Sequence, residues 1–112
     1  MTTCNTLPHP ADAVSVGTWE NLDNDWGVEG PFRAFIGSSW IIPAAHDATL
    51  DWLTGDTDVR VRIEGIQRAD GSVKRWVEIT GAVTLLPPVM VRMLSESLAA
   101  AHAEIARHEV NR

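Results

Sequence analysis

Val59-Arg60-Val61-Arg62-Ile63-Glu64-Gly65-Ile66-Gln67-Arg68-Ala69-Asp70-Gly71-Ser72-Val73-Lys74-Arg75-Trp76-Val77-Glu78-Ile79-Thr80 is the stretch whose reading decides the fold. Val59, Val61 and Ile63 alternate with Arg60, Arg62 and Glu64, the period-two pattern of a strand with one buried face. Past an Asp-Gly pair, Val73, Arg75, Val77 and Ile79 alternate with Lys74, Trp76, Glu78 and Thr80. Loop length then selects the register. A two-residue Asp70-Gly71 turn sets Ile63 against Glu78 and mixes core with solvent faces. A three-residue loop, Ala69-Asp70-Gly71, pairs Ile63 with Val77, Val61 with Ile79, and Arg62 with Glu78 on the outer face. Gly71 takes the left-handed position that closes a type I turn plus bulge. The expectation is a hairpin over residues 59–80 in that register.

The outer face of this hairpin carries Arg60, Arg62, Glu64, Ile66, Lys74, Trp76, Glu78 and Thr80. Trp76 and Ile66 stand diagonally close among charges. Either another segment covers them, since Trp is usually largely buried, or Arg60, Arg62, Ile66 and Trp76 form a partner-binding patch.

Pro87 and Pro88 suit a helix start, where a missing N–H costs nothing and φ is already set. No Pro or Gly follows before Arg112, so the pattern predicts a helix over residues 88–109. At 100° per residue, Met90, Val91, Leu94, Leu98, Ala101 and Ile105 fall on one apolar stripe, which is expected to pack on the inner face of the hairpin. Val89, Met93 and Ala100 make a thinner apolar line on the far side. That line is either an ordinary exposed trio or a homodimer contact.

The 112 residues carry a net charge of −6 and a single Cys4. This length makes one domain with a core of its own. One cysteine leaves no internal disulfide and fits a reducing cytoplasm. Residues 1–12 read as a mobile tail and lack the basic start and apolar run of a signal peptide. The most apolar stretch, Ala82 to Val91, is too short to span a bilayer, so no membrane association is expected. Residues 1–56 hold eight acids against Arg33 alone. That balance argues against direct nucleic-acid binding through this half. Ala13 to Glu20 reads as a first strand. Phe32 to Ile36 and Ser38 to Ile42 read as two strands or one bent around Gly37, and His46 to Leu53 as a short helix.

Candidate chemistry fails on spacing. Asp23-Asn24-Asp25 opens like a calcium loop, but Glu29 comes too early for the closing ligand. His46-Asp47 has no second histidine at metal spacing, and His102 and His108 stand six residues apart on the helix. Gly37-Ser38-Ser39-Trp40 is not a nucleophile elbow, which needs glycine on both sides of the serine. Cys4 has no base near it in sequence. No catalytic residue, metal ligand or cofactor is assigned, and the chain is read as a non-enzyme. Five Trp and no Tyr suit either core packing or a Trp-lined ligand groove.

The run Gln67-Arg68-Ala69-Asp70-Gly71-Ser72-Val73-Lys74-Arg75-Trp76, followed by Leu85-Leu86 and a helix bearing Arg92, Leu94, Leu98 and Ala99 to Ala101, is similar to small proteins encoded by mycobacteria and their phages. In these a DG-turn hairpin precedes a C-terminal helix rich in Leu and Ala. The resemblance covers roughly Val59 to Arg107 and carries no catalytic residues. It implies a cytoplasmic accessory protein, phage-borne or bacterial, that acts by contact with a host or phage protein.

These observations predict an α+β fold: an antiparallel sheet of about four or five strands with the C-terminal helix packed on one face. Three functions compete. The first is a non-enzymatic protein-interaction module, itself a homodimer, that binds another protein through the acidic half or the Trp76 face. The second is a small-molecule-binding protein or enzyme with a Trp-lined pocket between sheet and helix. The third is an acidic nucleic-acid mimic displaying Asp23, Asp25, Glu29, Asp47 and Asp51.

Overall fold

The computed structural model of the chain describes residues 7–20, 30–44, 58–81 and 86–110. Four strands form one antiparallel sheet in the order β1-β2-β3-β4: β1 (Ser15–Val16), β2 (Phe32–Ile42), β3 (Val59–Arg68) and β4 (Val73–Thr80). One helix, α1 (Pro88–Val110), packs against the sheet, so the fold is α+β as expected. The short helix expected over 46–53 lies outside the described residues.

The hairpin has the three-residue loop. Gly71 N–H donates to Arg68 O and Arg68 N–H to Ser72 O, each at 2.9 Å. Gly71 has φ +91°, the left-handed region open to glycine. Asp70 Oδ1 accepts from Ser72 N–H at 2.9 Å, a local bond that fixes the turn. Arg62 Nη2 reaches Glu78 Oε1 at 3.0 Å, the cross-strand pair that the register requires.

β2 is one strand of eleven residues rather than two around Gly37. A glycine here serves close approach: a methyl at Gly37 would stand 3.4 Å from Ile63 Cβ and from Asp12 O. β1 is shorter than the expected 13–20. Ser15 pairs with Ile36 and Val16 with Phe35, Gly17 N–H donates to Ala34 O, and pairing resumes at Glu20 with Phe32. Thr18 and Trp19 together therefore oppose Arg33, two residues against one, which is a β-bulge.

Internal contacts divide the chain into two units, Met1–Ser38 with Ile63–Trp76 and Ser39–Arg62 with Val77–Arg112. In the first, Phe35 and Ile63 are buried, and Gly65 leaves room for the Phe35 ring. On the opposite strand face Phe32 and Ile66 are buried with Trp76 packed on them.

Residues 7–12, expected as a mobile tail, are held to the sheet in this unit. Asp12 and Arg75 make a bidentate pair at 2.9 and 2.8 Å, with side chains 1% and 4% exposed. Arg33 donates to Leu7 O and Pro8 O at 3.0 and 3.3 Å and to Gln67 Oε1 at 2.8 Å, while Gln67 Nε2 donates to Pro8 O at 3.0 Å. Buried charge persists only when paired and hydrogen-bonded. These strand arginines meet that condition through the N-terminal segment.

In the second unit Ile42, Val59 and Val61 are buried, as are Met90 and Ala101 of α1. Met90 and Val91 N–H both donate to Pro87 O, which closes the first turn. The buried arc of α1 is rotated from the expected stripe. Met93, Ser97, Ala100 and Glu104 are partly buried with Leu94, Leu98 and Ile105, whereas Val91 is half exposed. Ala101, fully buried, and Ser97, partly buried, belong to this arc.

Candidate functional site

The residues singled out for partner binding do not share one environment. Ile66 is 2% exposed and belongs to the core with Phe32, so it is not an accessible contact. The apolar cluster that it joins outweighs its place among charged neighbours. Trp76 is partly buried, packs on that cluster, and donates its indole N–H to Glu64 Oε1 at 3.3 Å. In the second unit Arg60 is exposed, and Arg62 is partly exposed beside Glu78.

Of the three residues expected on the far side of the helix, only Val89 is exposed there. Met93 and Ala100 instead line a cleft of about 530 Å³ with Ser39, Trp40, Ile41, Glu96 and Ser97. A second cleft, of about 540 Å³, lies on the outward side of α1 and is lined by Leu86, Pro88, Val91, Arg92, Ser95 and Glu96. Val91 is 50% exposed at that site. The cleft has an apolar lining (Leu86, Pro88, Val91) flanked by one cation and one anion, Arg92 and Glu96. Side chains so arranged take an apolar anchor and bind charges of either sign at the rim.

The first unit holds the strongest polar constellation. The guanidinium of Arg33 lies 4.6 Å from the centroid of the Trp19 ring, and that of Arg75 lies 5.7 Å from the Phe35 ring. The bulge at Thr18-Trp19 carries Trp19 to this position. Arg33 and Gln67 donate to carbonyls of 7–8, Arg33 also to Gln67, and Arg75 Nε and Nη2 to the Asp12 carboxylate, while the buried Arg75 Nη1 makes no hydrogen bond. The arrangement anchors a segment and presents no reacting group.

Asp70 at the hairpin tip is a titrating group displaced from its ordinary value. Hydrogen bonds from the Ser72 hydroxyl and then the Ser72 N–H hold its carboxyl below the usual carboxylate range. Ser38 and Ser39 sit within β2, so their run is strand and not a nucleophile turn. His9 and His102 are exposed and His108 is partly buried. Among the described residues no three His, Cys, Asp or Glu side chains are grouped as a metal site. Cys4, His46, Asp47, Trp26, Trp52 and the acids 23, 25, 29 and 51 lie outside the described residues.

The anchoring residues Asp12, Arg33 and Gln67 were missed in sequence. One signal for them was legible: Arg33 and Arg75 fall at inward strand positions, and a cation there demands a partner. Nothing in the pattern marked Ser95, or grouped Leu86 with the helix residues beyond it.

No family model, curated protein or solved structure was found to match the chain.

Proposed function

We propose that this chain is a non-enzymatic protein-interaction module whose docking surface is the outward cleft of α1. The observation that carries the reading is the exposure of Val91 in a cleft that Leu86 and Pro88 line with it. Apolar side chains grouped in a concavity, with Arg92 and Glu96 at the edge, fit a partner segment that inserts one apolar side chain. No helix among the described residues is long and apolar enough to cross a membrane. The similarity to mycobacterial and phage proteins suggests a cytoplasmic setting and a host or phage protein as the partner.

The test is affinity capture from mycobacterial lysate with the wild-type chain and with Val91→Glu, Trp76→Ala and Arg60→Glu/Arg62→Glu variants. The cleft reading expects one protein that wild type recovers and Val91→Glu loses, with the hairpin variants unaffected. Loss with the hairpin variants alone moves the surface to Trp76 or the arginines. A second reading rests on the cleft at Trp40 and Met93: a small apolar molecule stacked on Trp40. Thermal stabilisation by such a ligand, abolished by Trp40→Ala, would favour it.

A further inference from the structure

We propose that β4 pairs with β4 of a second copy of this chain, antiparallel and centred on Trp76, joining two sheets edge to edge. This contact concerns the chain's association with itself and does not rest on the partner-binding reading.

Among the described residues the strand order leaves β4 at an edge of the sheet. The turn sets which of its backbone groups face outward. Arg68 N–H donates to Ser72 O, so these two are a hydrogen-bonded pair. Alternation then directs the N–H and C=O of Lys74, Trp76, Glu78 and Thr80 toward β3, and those of Val73, Arg75, Val77 and Ile79 away from it. Those four residues make no backbone hydrogen bond to a turn, loop or cap among the described residues. Such an edge is a template for another strand.

A two-fold pairing of β4 with itself must match outward groups to outward groups, so odd-numbered residues face odd-numbered ones. Among those registers, the one centred on Trp76 sets Lys74 opposite Glu78 of the second copy, and symmetry makes the pair twice. Centring on Arg75 puts Lys74 against Trp76. Centring on Val77 puts Glu78 against Trp76. Either shift leaves these charges uncompensated.

The side chains are available for this register. Lys74 is exposed, with no partner among the described residues. Glu78 gives Oε1 to Arg62, keeps Oε2, and has a side chain 40% exposed. The Trp76 indole N–H reaches across to Glu64 of β3. On the other face the register sets Val73 against Ile79 of the second copy and covers Ile79, an exposed apolar side chain of β4. An edge lysine alone is a block against pairing. Placed two residues from the axis, with a glutamate two residues beyond it, the lysine selects a register instead.

The test is sedimentation equilibrium of the purified full chain over a concentration series, with circular dichroism on every variant. Wild type is expected to show a monomer–dimer equilibrium. Lys74→Glu places like charges opposite each other and should weaken the dimer roughly tenfold. Lys74→Glu/Glu78→Lys should return it to within about threefold of wild type, because exchanged charges remain complementary.

Trapping checks the register independently. In a Cys4→Ser background, Lys74→Cys/Glu78→Cys puts thiols about 13 Å apart along one strand, too far to bridge within a chain. Across the proposed contact each faces its counterpart with Cα atoms about 4.5 Å apart, within disulfide range. Oxidation should cross-link the double variant and neither single variant. A wild-type chain that stays monomeric at millimolar concentration overturns the proposal. So does a dimer indifferent to Lys74→Glu, or cross-linking by a single variant as readily as by the double one.

Discussion

Gly65→Ala should destabilise the chain severely, although alanine in place of a strand glycine is ordinarily harmless or favourable. By sequence reasoning alone the change restricts the unfolded chain and gains about 0.4–1 kcal/mol. The structure reverses that sign. A methyl at Gly65 would stand 2.6 and 2.7 Å from Phe35 Cε1 and Cζ and would also overlap Lys74 O. Carbon atoms prefer about 3.5–4.0 Å, so the ring must retreat by about an ångström. Phe35 is 2% exposed, and the carbonyl belongs to the backbone of the adjoining strand. Neither obstacle is the free end of a flexible side chain. Overpacking costs about 1–3 kcal/mol, and two rigid obstacles place Gly65→Ala at the upper end, about 3 kcal/mol. With about 4 °C per kcal/mol for a domain of this size, Tm should fall by about 12 °C. With m about 1.5 kcal/mol/M, the urea midpoint should fall by about 2 M. Gly37→Ala is the control, since its methyl meets Ile63 Cβ, Ile63 Cγ2 and Asp12 O no closer than 3.4 Å. That variant should lose less than about 1 kcal/mol. Phe35→Leu should restore part of the loss in the Gly65→Ala background while costing stability in wild type. Equal stability of Gly65→Ala and wild type, or equal losses for the two glycine variants, would refute the packing argument.

Two further outcomes follow from the polar contacts. Asp12→Ala leaves the Arg75 guanidinium buried without its carboxylate and should cost about 3–5 kcal/mol in urea unfolding. Asp12→Leu/Arg75→Met should cost less than Asp12→Ala alone, and a double variant that is worse would reject a desolvation origin. At the hairpin tip, Ser72 lowers the folded-state pKa of Asp70. The stabilisation is therefore present above the unfolded carboxylate pKa and is lost as pH falls through the folded one. Asp70→Asn should flatten the acid limb of the stability–pH curve, while an unchanged limb would assign it to other carboxylates.

Local pattern carried the second half of the chain. Alternation at Val59–Ile63 and Val73–Ile79 with Gly71 between them specifies strands, loop and register, because a one-residue slip exchanges the two faces. Pro87-Pro88 similarly marked the start of α1. What was not legible depended on residues distant in sequence. Asp12 lies 63 positions from Arg75, so the fixing of 7–12 appears in no window of periodicity. The rotation of α1 toward Met93 and Ala100 buries Ser97 and Ala101, which a hydrophobicity scale counts as weak. For Ile66 alternation left two readings open, cover by another segment or a partner patch, and its packing with Phe32 and Trp76 answers to the first. Of the candidate site, Val91 was noticed as apolar but assigned inward, and its exposure is what now marks the cleft.

The measurement that bears most directly on the interaction reading is site-specific photo-crosslinking in cells of the native host. A benzophenone amino acid at position 91 probes the cleft, and the same group at position 70 on the hairpin tip serves as the control. A single adduct of one defined protein from position 91, absent from position 70 and suppressed by Arg92→Glu, is the predicted result. No adduct at position 91, or the same adducts from both positions, would contradict the claim that this cleft docks a partner.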